Sequence, residues 1–453
     1  MNKKLVVVLT LVFTFVVLAV IYFRRLEGAF ASSLPWWSPF FIYGFIVTPF
    51  LMFKFVIAYR YKPVPDVGHR PSVSVIIPVL NEVDVIERTV NALLNSDYPE
   101  DRLEIIVVDD GSTDGTYHIV SELKKRVDYW RRDHETPDLK VLKLDRNYGK
   151  RFAFARGVRE CRGDVVICVD SDSVVENVAI RNLVQPFKDP SVYCTCGHGE
   201  VLNKNDNTLT HLQRVWYADG FRLQKGMESY FGMVTCCSGL LAAYRRDGIQ
   251  SVIDDWLNEK FMGRQVIDSD DRRLTNLMLR LRTFMRDSQA EDRTLTSHAM
   301  KTAPHTKSLY QSNAVAYTVV PRDFKKFSKQ QLRWGRGSFR GMLFAASFFW
   351  KRPPRQALMF YLLVFVNYLS PLIMFVNVVV FPLLGQYWLM LFYFGGLFLI
   401  HFIYAINSSR LVKNISRTDI VYRTTFVLLS LLISTIYIYG WVTAWKGKKW
   451  MTR

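Results

Sequence analysis

Uncharged apolar runs at both ends of the 453-residue chain restrict its fold more than any other feature. Residues 5–23 carry no charge and approach the roughly 20 residues that cross a bilayer as helix. No small-residue cleavage site follows, but Arg24 and Arg25 do, so the run reads as an anchor rather than a removed signal. A second run spans 40–58, with Lys54 near enough to its end to snorkel. Trp36 and Trp37 fall in the short connection, where an aromatic belt is expected. The chain turns apolar again over 357–384, 387–406 and 424–445. Three parts follow: a two-helix membrane segment (1–69), a soluble-type domain (70–340), and an interfacial helix with further membrane helices (341–453).

The net charge of +19 sits largely beside these runs, at Lys3, Lys4, Arg60, Lys62, Lys351, Arg352, Arg355, Arg410, Lys413, Lys446, Lys448 and Lys449. That pattern fits the positive-inside rule and predicts a multi-pass protein of the plasma membrane with its central domain in the cytosol. Anionic lipid and a diphosphate substrate are the partners it suggests, rather than nucleic acid, for which no module is present. Two spans before the domain and three after would leave the basic tail, 446–453, outside. Either one C-terminal segment is re-entrant or a further span exists; 340–350 is apolar enough to lie in the interface. The six cysteines form no C-x-x-C pair and have no histidine at ligand spacing, so core thiols are expected, not zinc.

Within 70–340, buried-type strands (72–80, 103–108, 139–144, 164–169) alternate with helical stretches (84–94, 113–127, 149–161). Such alternation implies an α/β domain with a mostly parallel sheet, and ligands at the carboxyl ends of its strands. Asp109 and Asp110 end the second strand. A capped loop accounts for the Gly-Ser-Thr that follows, but not for two adjacent acids, so a contact to base or ribose is expected. Asp170-Ser171-Asp172 closes another strand. Two acids beside a diphosphate would repel it unless a divalent cation bridges them; Mg²⁺ or Mn²⁺ is expected there, with Asp172 as ligand. Asp170 is expected to face sugar or nucleotide.

The order IIPVLNE, VVDDGSTDGT, NYGKRFAF, VDSDS, an acidic pair before arginine, and QQLRW resembles the processive family 2 glycosyltransferases. The likeness is greatest to hyaluronan synthases and NodC-type chitin oligosaccharide synthases, through ESYFGMVTCCSG, DDRRLTNLML, LYQSNAVAYTVVP and QQLRWGRGSFR. It implies a GT-A-type nucleotide-sugar domain joined to a multi-span helical membrane region. Pro78, Asn81, Glu82 and Asp110 would then contact the nucleotide, as would Lys150 and Arg151, which alone read as a solvated helix start. Asp271, in the pair with Asp270, would be the general base. One carboxylate suffices for an inverting transfer, which needs no covalent nucleophile. Gln330, Arg333 and Arg336 would meet the leaving diphosphate, and Trp334 the acceptor sugar. Cys237, Ser238 and Gly239 would form the acceptor loop, although Leu240 stands where most relatives have proline. Residues 310–320 resemble the loop that closes over the donor.

The implied activity is synthesis of a polysaccharide from UDP-sugars, with export through the same chain. The hyaluronan type uses UDP-GlcNAc and UDP-GlcA. The chitin type uses UDP-GlcNAc alone, another β-glucan type is a further alternative, and a non-processive transferase to a lipid carrier is a third reading that usually lacks Q-x-x-R-W. Partners would be the donor, the growing polymer and the bilayer. One chain suffices for such a site. Asn367, Ser370 and Asn377 are candidates to line the polymer path.

Overall fold

The computed structural model describes residues 39–265, 270–281, 305–408 and 417–445. The run 5–23 and the tail 446–453 lie outside them. The chain divides into two compact units, 1–57 and 58–453. The described part of the first lies in the helix Pro39–Arg60, which coincides with the second apolar run.

The second unit is built on an eight-stranded sheet. Its strands are β1 Val73–Val79, β2 Leu103–Asp109, β3 Asp138–Lys143, β4 Val165–Cys168, β5 Val174–Val175, β6 Val192–Val201, β7 Ala242–Arg245 and β10 Lys307–Thr318. A separate hairpin pairs β8 Lys260–Phe261 with β9 Arg264–Gln265. The spatial order is β3-β2-β1-β4-β7-β6-β10-β5. The first four strands run parallel, as the alternation predicts, and every residue of β1 and β2 is buried because helices cover both faces. Pro78 is tolerated in this central strand for a geometric reason. The β1–β4 register ends at Ile76 opposite Cys168, so the N–H that proline lacks falls beyond the last rung of β4.

β7 runs antiparallel between β4 and β6, a reversal that the alternation did not predict. The second departure is β10. Residues 310–320, expected as a mobile loop, belong mostly to this twelve-residue strand, parallel to β6 and antiparallel to β5. Its buried and half-buried positions largely alternate, the signature of a packed strand rather than a free loop.

After the sheet, one 26-residue helix, Phe324–Phe349, carries both the QQLRW segment and the apolar stretch read as interfacial. Helix Pro354–Phe375 continues through a π-helical stretch, Val376–Val380, and is followed by Tyr387–Ser408 and Arg417–Val442. Among the described residues, Pro354–Leu383 and Val421–Val442 are long and apolar enough to cross a membrane. Ser370 and Asn377 donate to their own helix, at Val366 O and Ile373 O, whereas Asn367 is exposed.

Candidate active site

Because β1, β2 and β4 are parallel neighbours, the segments that leave their carboxyl ends gather at one edge of the sheet. The turns after β1 and β2 are knitted together. Asn81 adopts a left-handed backbone (φ 52°) and accepts from Thr113 N at 2.9 Å. Glu82 N donates to Thr116 Oγ1, also at 2.9 Å. Gly111 (φ 78°) is needed here, since a Cβ would lie 2.6 Å from the Arg146 carbonyl carbon.

Asp110 is buried, with Oδ1 accepting from Tyr148 N and Oδ2 from Gly149 N, each at 2.8 Å. Burial pushes its carboxyl above the ordinary value against those two N–H groups, which favour the charged form. It thereby fixes the start of helix Lys150–Glu160. Its neighbour Asp109 is equally buried; Oδ2 accepts from Ser112 N at 3.2 Å, while Oδ1 has no hydrogen-bond partner. A buried, unsatisfied carboxylate oxygen is costly, so this atom is an acceptor open to a ligand at the carboxyl edge of the sheet.

The first residue of that helix reaches the centre of the site. Lys150 Nζ pairs with Asp170 Oδ1. Burial alone would lower the lysine's pKa, but the charges of Asp170 and Asp271 outweigh it and hold the ammonium above its ordinary value. Asp271, on helix Asp270–Arg280, accepts the Gly239 N–H on Oδ2 at 2.8 Å. Gly239 lies among all three side chains. A Cβ built on it would be 2.8 Å from Lys150 Nζ, 2.9 Å from Asp271 Oδ1 and 3.3 Å from Asp170 Oδ1. Residues from four separate sequence motifs thus converge on one point. Asp172, 7% exposed, stands just beyond β4, and Thr89 Oγ1 donates to the Ser171 carbonyl beside it at 2.8 Å. The side chain of Asp270 lies outside the described residues.

The acceptor loop is anchored to the same helix, since Cys237 N donates to Thr275 Oγ1 at 2.9 Å and that hydroxyl donates to Asp271 O at 2.7 Å. All six cysteines are free; Cys236 is half-buried and the others are buried. Trp334 packs 5.4 Å from Trp216 and 6.5 Å from Tyr217, between ring centroids, so helices Thr208–Ala218 and Phe324–Phe349 share an aromatic wall. Gln330 Oε1 is buried without a hydrogen-bond partner, and Arg333 is half-buried.

Two residues expected at the phosphates have other partners in the fold. Arg151 is buried, donates to Trp256 O at 2.6 Å and pairs with Glu259 at 3.5 Å, so it fastens helix Arg246–Leu257 instead. Successive helical residues point about 100° apart, which sends Lys150 and Arg151 to different surroundings. Arg336 Nε donates to Thr443 Oγ1 at 3.0 Å, at the end of the C-terminal helix. Two buried features carry no signal in the sequence: Lys225 beneath Ser238, and His198 linking Tyr310 OH (2.6 Å) to Glu200 Oε1 (2.9 Å). No motif marks either, because each arises only when β6, β10 and helical segments meet.

The family model of glycosyl transferase family 2 matches residues 74–253, and that of glycosyl transferase family group 2 matches residues 165–442. A hyaluronan synthase of Streptococcus pyogenes is 32% identical over 302 residues, covering 66% of this chain and 64% of that protein. An N-acetylglucosaminyltransferase of Rhizobium sp. (strain N33) is 33% identical over 276 residues, 61% of this chain and 54% of the relative. The chain therefore matches less than two thirds of these relatives' lengths. Among solved structures, the mannosyltransferase PcManGT from Pyrobaculum calidifontis, in complex with GDP-Man and Mn²⁺, superposes with a TM-score of 0.54 at 16% identity, covering 89% of this chain and 97% of that one. At that identity the likeness is one of fold, and the fold is GT-A.

Proposed function

The chain belongs to glycosyltransferase family 2, and on that premise we propose that it is a processive, inverting polysaccharide synthase of the cell membrane. It polymerises UDP-sugars on the cytosolic side, with residues 70–340 as the catalytic part, and passes the product through its membrane helices. The observation that carries the reading is the meeting of Lys150, Asp170 and Asp271 around Gly239. The aromatic wall of Trp334, Trp216 and Tyr217 supports it, since flat apolar rings suit the faces of a sugar chain. The hyaluronan type, with UDP-GlcNAc and UDP-GlcA as donors, is the first reading, in keeping with the streptococcal relative. The chitin type, with UDP-GlcNAc alone, is the second, favoured by the rhizobial N-acetylglucosaminyltransferase.

In this reading Asp271 is the base. Its Oδ2 is held by the Gly239 N–H, and the carboxylate so oriented takes the proton from an acceptor hydroxyl. As that oxygen bonds to the anomeric carbon, the bond from the carbon to the diphosphate breaks, and UDP departs with the electron pair. Arg333 is assigned to the charge developing on the diphosphate, and Lys150 lies where it can follow the same charge. Asp172, with Asp170 beside it, would hold Mg²⁺ or Mn²⁺, which supplies positive charge to the diphosphate. The donor set fits that role. Such an ion uses one or two carboxylates with phosphate oxygens, and the Lys150 ammonium already sits on Asp170 as a cation would.

Incubating the purified full chain with each UDP-sugar singly and in pairs, and following UDP release and polymer length, tests the reading. UDP release without lengthening product would refute processivity. Asp271→Asn should lower transfer by about 10²–10⁴-fold while UDP still binds; a variant that keeps its turnover would remove Asp271 as base.

A further inference from the structure

The segment Asp219–Lys225 is π-helical, set between helices Thr208–Ala218 and Gly226–Tyr230. Such wide turns recur at functional sites because they re-aim side chains that a regular helix would place elsewhere. Here three of its side chains face β6. The Phe221 ring meets the His198 ring edge-on at 5.5 Å, Arg222 lies 3.6 Å from Glu200 Oε1, and Lys225 Nζ lies 3.1 Å from Cys196 Sγ. Cys196, His198 and Glu200 are alternate residues of one strand and so share a face. The far end of the segment is tied as well: Asp219 pairs with Arg423 of helix Arg417–Val442.

Lys225 stands apart within this set. It is 9% exposed, and its ammonium rests over the Phe221 ring at 4.0 Å. Among the described residues no carboxylate pairs with it; its contacts are the thiol, the ring and the hydroxyl of Ser238, to which it donates at 2.7 Å. Desolvating an ammonium without a counter-ion is expensive, and a residue of leucine shape would fill the same space at less cost. What the charge provides here is a grip on Ser238.

We infer that Lys225 is a positioning residue for the acceptor loop, holding Ser238 so that the Gly239 amide stays on Asp271. The inference rests on the reading of Asp271 as base. Three successive residues of the loop are pinned: Cys237 N to Thr275, Ser238 Oγ by Lys225, and Gly239 N to Asp271. The outer two pins both reach the helix that carries Asp271; of the three, the central one ties the loop to a different element, and the nearest other tie at these residues is the long 3.5 Å bond from Tyr244 OH to Cys237 O. Without it the loop can rock about its two outer hydrogen bonds, which moves the floor of the acceptor subsite and turns the Asp271 carboxylate. The donor edge, made by β1, β2 and β4, is untouched.

Lys225→Met keeps the aliphatic stem and removes the grip. It should raise the KM for an added oligosaccharide acceptor about tenfold, leaving donor KM and UDP Kd within about twofold. Ser238→Ala, which removes only the hydroxyl, should move the same parameter in the same direction. The double variant should be no worse than Lys225→Met alone, because both act through one contact. Lys225→Arg, which keeps a charged donor, should restore most of the acceptor affinity. A readout independent of turnover is maleimide labelling of Cys236, mapped by mass spectrometry, which should accelerate in Lys225→Met. Unchanged acceptor KM, an additive double variant, or equal losses in donor and acceptor parameters would each overturn the inference. A wild-type chain that turns over no UDP-sugar, yet whose Cys236 labelling responds to Lys225→Met, would instead strike at the proposed activity.

Discussion

Gly239→Ala separates the chemistry of this site from its folding. The added methyl would lie 2.8 Å from Lys150 Nζ and 2.9 Å from Asp271 Oδ1, where ordinary contact begins at 3.4 Å. The shortfalls are therefore 3.4 − 2.8 = 0.6 Å and 3.4 − 2.9 = 0.5 Å. Both obstacles are ends of flexible side chains, so they can retreat, and the backbone of Gly239 need not move. The fold should lose no more than about 1 kcal/mol, a shift of a few degrees in Tm. Catalysis has no such tolerance: a base and a cation displaced by half an ångström or more should lose roughly 10- to 100-fold in kcat. Gly163→Ala is the control. Its methyl would meet the backbone of β1, 2.5 Å from Ser74 N and 2.6 Å from Val73 C, which cannot retreat. That variant should lose about 1–3 kcal/mol of stability and, once the folded fraction is corrected for, keep its turnover. The assay is UDP release per folded molecule in detergent, with thermal unfolding measured in parallel. Wild-type turnover in folded Gly239→Ala, or a loss that merely tracks its unfolding, would refute the convergence of Lys150, Asp170 and Asp271 on this point.

Acid stability should depend on Glu104, at the opposite end of β2 from the site. Burial would raise its carboxyl, but Ser74, Lys140 and the Arg162 N–H outweigh that and hold it down at about 2. A folded value below the ordinary 4.5 gives stability that is complete above 4.5 and lost as pH falls toward 2. After discounting for the exposed Arg162, the effect is of order 1–2 kcal/mol. Unfolding followed across that window should fall more steeply in the wild type than in Glu104→Gln, in which Asp66, Asp114, Asp189 and Glu200 still titrate, with turnover at neutral pH unaltered; equal slopes would count against the assignment. Arg423→Met should destabilise the chain by about 3 kcal/mol, because it strands the Asp219 charge, and adding Asp219→Asn should recover at least half. Thermal unfolding of both variants in the same detergent decides it, and no recovery in the double variant would mean that Arg423 acts elsewhere.

The first half of the domain was legible because its physics is local. β1, β2 and β4 are mostly apolar, broken only by Ser74, Pro78, Glu104 and the terminal Asp109, and β2 and β4 lead straight into acids, so Asp110, Asp170 and Asp172 could be placed at one edge from the sequence. β7 was not legible: Ala-Ala-Tyr-Arg is too short and too mixed to declare itself, and its reversed direction depends on pairing with both β4 and β6. Arg151 misled because a basic pair says nothing about which member faces a ligand, and helical geometry sends the two apart. The turn that carries Lys225 was invisible for a different reason. A π-helical stretch leaves no composition of its own, and the value of a buried lysine appears only once β6 and the acceptor loop lie on either side of it.

The double hydrogen bond to Asp110 bears on how variation at that position should be read. Its two oxygens accept two backbone N–H groups of the Tyr148–Gly149 turn. Asparagine would present an NH₂ to one of those donors, and glutamate would overshoot the turn. The position is thus closed to both near relatives of aspartate on folding grounds alone, before any nucleotide arrives. Natural selection acting there protects a turn, so an invariant aspartate across related chains would record the architecture of the Lys150 helix.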